Sequence, residues 1–156
     1  MPAVTTDRLV LEPIDTARAA AIVGGDLTTV EPGTGWPQDD TVDGLRMEIE
    51  RGGSPACWLI VRSGVVIGEL GWKGGPGPDG TVEIGYGVAP RYRGHGYATE
   101  AVTGFVGWVR GRHDVQSVVA ETLADNLASR RVLEKCGFTV TEAIDAYVYW
   151  SCETAS

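Results

Sequence analysis

The sequence predicts an α/β fold, with a central mixed, largely antiparallel sheet of about seven strands flanked by about four helices. Three observations carry that expectation. Between positions 57 and 88 apolar residues fall in short runs and alternations with the period of half-buried strands. From Tyr97 the period lengthens to about four, as on a helix packed by one face. A further short apolar run, "SVVAET", then stands between that helix and another.

The elements follow in order. Arg8–Glu12 reads as a short strand and Asp15–Val23 as a helix, followed by the Gly-, Pro- and Asp-rich loop "GGDLTTVEPGTGWPQDD". A second helix is expected from Thr41 to about Arg51, with Val42, Leu45, Met47 and Ile49 as apolar positions and "GGSP" as its stop. "ACWLIVRSGVVIGELGWKG" holds two strands divided at Ser63-Gly64, a hairpin signal. "GGPGPDG" makes the next reversal, and "TVEIGYGV" is a third strand alternating Val82, Ile84, Tyr86 and Val88 with Glu83, Gly85 and Gly87. Tyr97, Ala101, Phe105 and Val109, flanked by Ala98, Val102 and Val106, form a wide helical stripe. After "SVVAET", Asp125 or Asn126 caps a helix that carries Ala128, Val132, Leu133 and Cys136 inward. Gly137 suits the left-handed position after it, with Phe138 as the apolar contact. Two strands, near Thr139–Ala143 and Ala146–Cys152, close the chain.

A chain of 156 residues is expected to form one domain, 1–156, with a sizeable core. It has no apolar run near the ~18 residues of a membrane span, and its start lacks the pattern of a signal peptide, so a cytoplasmic address is expected. The net charge of −8 argues against nonspecific nucleic-acid binding and favours a cationic partner or simple solubility. Cys57, Cys136 and Cys152 are widely spaced, without a CxxC or Cys/His cluster, and read as reduced thiols rather than metal ligands. With only His95 and His113, a Ser-His-Asp or Cys-His hydrolase has little material.

Against that acidic background, "APRYRGHG" contains no acid. A helix opening at Gly94 would present unpaired N–H groups and a positive dipole end, which bind phosphate oxygens. Gly94 and Gly96 let the backbone come close, Arg91 and Arg93 add charge, and His95 can add a hydrogen bond. A nucleotide P-loop would need GK[ST] where Gly96-Tyr97-Ala98 stands. A dinucleotide fingerprint would need a third glycine where Thr99 stands, and a parallel unit before it. What remains is Arg91-x-x-Gly94-x-Gly96 followed by Ala98, after a strand ending in Val88.

That motif resembles the Q/R-x-x-G-x-G/A signature of the GCN5-related N-acetyltransferases (GNAT). "TDRLVLEP", "IGELGW", "VEIGYGVAPRYRGHGYATEA" and "NLASRRVLEKCGF" extend the resemblance over roughly residues 5 to 150, and look like the ribosomal-protein N-terminal acetyltransferase branch. The resemblance implies the GNAT fold and transfer of an acetyl group from acetyl-coenzyme A to a primary amine by direct attack. It implies that the loop from Arg91 to Ala98, with Tyr97 at the helix start, holds the pyrophosphate. The strand carrying Val88 would splay from its parallel neighbour "SVVAET", leaving the N–H near Val88 to polarise the thioester carbonyl.

Asn126 and Ser129 lie one helical turn apart. By resemblance Asn126 contacts the pantetheine arm and Ser129 lies near the sulfur. Where many members carry a tyrosine general acid, seven residues after that asparagine, this chain has Leu133, so Ser129 is the expected proton donor. Glu83 is the preferred base, with Glu69 on the neighbouring strand and Asp145 as alternatives. Gly87 stands where relatives often carry a bulky aromatic, which widens the acceptor pocket; Trp36, Trp72 and Glu69 are expected to line it. Arg130 and Arg131 could reach the coenzyme phosphates. The acceptor could be a protein N-terminus, an aminoglycoside-like polyamine or another small amine. The rivals are a catalytically inactive coenzyme-A-binding module and a nucleotide-binding protein that prefers ATP or NAD. A monomer or homodimer is expected.

Overall fold

The computed structural model describes residues 2–52 and 56–154. Eight strands form one sheet: β1 (Val4–Thr5), β2 (Val10–Pro13), β3 (Cys57–Arg62), β4 (Val65–Trp72), β5 (Thr81–Val88), β6 (Ser117–Leu123), β7 (Thr139–Ile144) and β8 (Tyr147–Glu153). The helices are α1 (Thr16–Val23), α2 (Asp39–Arg51), α3 (Tyr97–Val109) and α4 (Leu127–Lys135). The additional strand relative to expectation is β1, two residues long and below what alternation can reveal. Of the expected "GGSP" stop, Gly52 caps α2 at φ 86°, and Gly53, Ser54 and Pro55 lie outside the described residues.

The spatial order is β1-β2-β3-β4-β5-β6-β8-β7, antiparallel except between β5 and β6. The connection from β5 to β6 runs through α3, as a parallel pair requires. β8 pairs with β6 over seven positions and leaves β7 at the edge. Ser63 (φ 50°) and Gly64 (φ 81°) make the β3–β4 hairpin turn in the left-handed region.

Two apolar clusters cover the two sheet faces. On one face Trp58, Ile84, Val88 and Leu133 pack with the α3 stripe of Tyr97, Ala101, Val102, Phe105, Val106 and Val109. On the other, Ile22 and Leu45 of α1 and α2 pack with Trp36, Leu59 and Val66. Trp72 belongs to the first cluster. It is 5 % exposed, with its ring 5.4 Å from Trp58 and 5.9 Å from Phe105. Its expected place in the acceptor pocket is therefore corrected: it is a core residue.

Caps fix where the helices begin. Asp15 accepts from Arg18 N–H at 2.8 Å and Asn126 from Ser129 N–H at 3.2 Å. At the far end of α4, Gly137 (φ 89°) follows the helix and Phe138 N–H donates to Leu133 O at 3.0 Å. α3 begins at Tyr97, later than the expected Gly94, because Pro90–Tyr92 forms a 3-10 turn first. Gly96 is its N-cap, at φ 80°, and no side chain caps it. Thr6 and Arg8 bind the Glu100 carboxylate, tying the N-terminal segment to the first turn of α3.

Candidate active site

β5 and β6 part company halfway along. Their ladder runs from Thr81↔Ser117 to Ile84↔Ala120 and stops, although β5 continues to Val88 and β6 to Leu123. Lys73 N–H donates to Glu83 O (2.7 Å) and Ala89 N–H to Ile67 O (2.8 Å), so the odd-numbered residues of β5 point their backbone groups at β4. Tyr86 and Val88 therefore point theirs into the gap. The Val88 carbonyl accepts from Arg93 Nε at 2.9 Å and from Gln38 Nε2 at 3.4 Å, and the Val88 N–H faces the opening.

A cleft of about 600 Å³ passes through the sheet at this gap. On the α3/α4 side it is bounded by Tyr86, Asn126, Ser129 and Val132; on the α2 side by Glu69, Gly87, Gln38 and Asp40. The first turn of α3, with Gly94 and Gly96 before it, closes one end together with Arg131 and Lys135. Cys136 Sγ lies 3.5 Å from Thr99 O, which holds the last turn of α4 against the first turn of α3. Two cationic side chains on α4, four residues apart, thus flank a helix N-terminus whose N–H groups have no side-chain cap. The opposite end carries two carboxylates. The cleft has one basic and one acidic end.

Glu69 sits on the floor of the acidic end. Its Oε1 accepts from the Trp36 indole at 3.0 Å and from the Thr41 hydroxyl at 2.6 Å. Its Oε2 lies over Gly87, where an added Cβ would come within 2.7 Å of it. Burial raises its pKa, against the lowering effect of the Thr41 and Trp36 hydrogen bonds; the Asp40 charge raises it further. Tyr86, across the gap, donates to Ser129 O at 3.4 Å, and burial pushes its hydroxyl up to about 12, so it stays protonated at neutral pH.

Of the residues expected at the site, Glu69, Gly87, Val88, Arg93, Gly94, Gly96, Tyr97, Ala98, Asn126 and Ser129 border this cleft. Arg91 and His95 stand on the loop beside it, with the imidazole stacked near Tyr97 at 5.6 Å. Arg93 is engaged internally, by Val88 O and by Gln38 Oε1 at 3.1 Å. Trp36 does not line the cleft: it is 4 % exposed and acts through its bond to Glu69.

Glu83 is not brought in either. It lies where β5 and β6 are still paired, and its carboxylate accepts from Lys73 Nζ at 2.8 Å. Asp145 (φ 54°) makes the β7–β8 turn. Arg130 donates to Ala124 O at 2.9 Å, leaving Arg131 as the arginine of that pair on the cleft. Gln38, Tyr86 and Lys135 escaped the sequence reading. Lys135 was the most accessible of the three, since it follows Arg131 by one helical turn.

The splayed parallel pair, the glycine-flanked helix start and the cleft at their gap are the features that the resemblance to the GNAT acetyltransferases implies. Residues 8–139 match the acetyltransferase (GNAT) domain, and the chain belongs to that family: it is an N-acetyltransferase that uses acetyl-CoA. It is 28% identical over 158 residues to the uncharacterized N-acetyltransferase YjdG of Bacillus subtilis, spanning 93% of this chain and 94% of that one. A GNAT-family acetyltransferase from Bordetella pertussis superposes with a TM-score of 0.68 at 26% identity, over 97% of this chain and 99% of its own. RimL, a ribosomal L7/L12 α-N-protein acetyltransferase solved with coenzyme A, shares the fold at TM-score 0.70 and 18% identity, over 97% and 98%. Among the described residues no His/Cys/Asp/Glu group could hold a metal ion, and no helix is long and apolar enough to cross a membrane.

Proposed function

We propose that residues 1–156 act as one cytoplasmic acetyltransferase domain that acetylates a cationic primary amine, either a protein N-terminus or a small molecule. The observation that carries this reading is the polarity of the through-sheet cleft. Its basic end suits a diphosphate and its acidic end an ammonium, and the gap between β5 and β6 joins them.

The first-turn N–H groups of α3, approached over Gly94 and Gly96, hold the diphosphate, with Arg131 and Lys135 adding charge. Arg91 and His95 stand at the outer side of the same loop. Asn126 holds the pantetheine arm through the amide nitrogen left free by its capping role. Bound acetyl-CoA supplies the acetyl group as a thioester. The Val88 N–H donates to its carbonyl oxygen as negative charge develops there. Ser129 delivers the proton to the departing sulfur, and Tyr86 positions Ser129 by donating to its carbonyl. Leu133 is fully buried and takes no part.

The test is thermal unfolding with acetyl-CoA, coenzyme A, ATP or NAD. A ligand at ~100 times its Kd adds about 2.7 kcal/mol, which for a chain of this size raises Tm by roughly 5–11 °C. Stabilisation by acetyl-CoA and coenzyme A, followed by thiol release with an amine, is the expected result. No shift with either, or a larger one with ATP or NAD, removes the reading. A shift without thiol release from any amine leaves a coenzyme-A-binding module.

A further inference from the structure

We propose that Glu69 receives the acceptor ammonium and takes its proton, and that position 87 is glycine to let the acceptor reach it. This rests on the acetyl-transfer reading above. β4 carries a bulge. β3 pairs Val61 with Val66 and Ile60 with Gly68, so Ile67 is an extra residue in β4. Val66 packs on the α1/α2 face and Ile67 on the α3 face, after which Leu70 and Trp72 are again on the α3 face. Under regular alternation from Ile67, Glu69 would share its face and enter the α3 core. The bulge turns it to the α2 face, where Trp36 and Thr41 bind Oε1.

That arrangement fixes one carboxylate oxygen and presents the other. Oε2 lies over Gly87, the residue paired with Glu69 across β4 and β5 and adjacent to the Val88 N–H. An amine bonded to Oε2 is therefore next to the carbonyl that the Val88 N–H polarises. The carboxylate takes one proton from R–NH3+, giving R–NH2 and a neutral carboxylic acid. The nitrogen lone pair forms the N–C bond, and the C–S bond breaks with its electrons on sulfur. Sulfur gains a proton from the Ser129 side, and the new amide loses its extra proton to solvent. Burial suits the carboxylate to this task, since it raises its basicity without removing its access.

The charged and titratable groups facing Glu69 are few among the described residues. Asp40 on α2 raises its pKa, and the Cys57 thiol on β3, itself pushed up by burial first and by Glu69 second, stays neutral. Arg93 is held off by Gln38 and Val88. Among the described residues no cation neutralises the carboxylate at short range, which leaves that place to the substrate.

The experiment compares wild type, Glu69→Gln and Gly87→Ala. Thiol release is measured with spermidine, an aminoglycoside and a peptide with a free N-terminus, beside the acetyl-CoA thermal shift and Tm from pH 4 to 9. Both variants should keep the acetyl-CoA shift. Glu69→Gln should lose roughly 10²–10⁴-fold in kcat/KM and the acidic limb of its pH profile. Gly87→Ala, whose Cβ displaces the carboxylate, should lose at least about tenfold by the same loss of base geometry.

Glu69 also leaves a mark that needs no acceptor. Its folded pKa is raised above its unfolded value, so its contribution to stability is present below the unfolded pKa and lost as pH rises through the folded one. Relative to wild type, Glu69→Gln should therefore gain Tm as pH rises from about 4.5. Thiol release within threefold of wild type in either variant, or a Tm difference independent of pH, overturns the proposal. Loss of the acetyl-CoA shift in wild type overturns the acetyl-transfer reading instead.

Discussion

Gly68→Ala is expected to lower Tm by roughly 6–12 °C and to abolish acetyl transfer. An alanine Cβ at this position would lie 2.2 Å from the Gly87 carbonyl oxygen and 3.1 Å from Val88 Cα. Both are backbone atoms in a paired central strand, so no side chain can swing away to relieve the contact. Overpacking of this kind costs about 3 kcal/mol, which at 2–4 °C per kcal/mol gives the stated range. The same displacement moves the Val88 N–H, the group that polarises the thioester. A control separates the site from the residue type. Gly107, in the α3 helix, would place its Cβ in open space, so Gly107→Ala should raise stability by about 1 kcal/mol. If both substitutions shift Tm alike, or Gly68→Ala keeps wild-type turnover, close approach at the β4 bulge is not what requires the glycine.

That bulge also marks the limit of what the sequence reveals. The α3 stripe, the Ser63-Gly64 turn, the Asn126 cap and the Gly137 stop are local patterns, each written within a few residues, and the structure contains all four. The glycine-rich turn before α3 is equally legible, because charge and glycine are concentrated there in one stretch. Glu69 was different. Simple alternation cannot say which face it occupies, since the bulge inverts the parity between Ile67 and Leu70. Gly68 inside a strand was the available signal.

Glu83 is close in sequence to Val88, but the point where β5 leaves β6 decides which carboxylate is in the cleft. Only pairing across strands fixes that point. Trp36 and Trp72 show the same limitation: one braces Glu69 and the other fills the core, and nothing in their local sequence separates the two. The start of α2 lay earlier than expected because Gln38, an uncommon cap, precedes Asp39, while the Thr41 hydroxyl accepts from Gln38 N–H at 3.2 Å and donates to Glu69.

Ala98→Glu is expected to abolish the acetyl-CoA thermal shift while leaving the free protein as stable as wild type or slightly more so. Ala98 is the second residue of α3 and borders the basic end of the cleft. A carboxylate there meets the positive end of the helix, which favours it by about 0.3–1 kcal/mol. A diphosphate seeking the same N–H groups would meet that charge instead. One unit charge at about 4 Å and an effective dielectric of 20 costs about 4 kcal/mol, a factor of roughly 10³ in Kd.

Glu100, already in the first turn, does not supply this effect, because Thr6 and Arg8 hold its carboxylate on the outer side. Ala98→Gln adds nearly the same volume without charge, so it separates repulsion from obstruction and should retain most of the shift. High salt should recover part of the binding lost in Ala98→Glu. The opposite signs are the point of the test. A general folding defect would lower Tm together with binding, whereas a ligand-ready helix end gains a little stability from the charge that excludes its ligand. An undiminished acetyl-CoA shift in Ala98→Glu would place the diphosphate away from the first turn of α3.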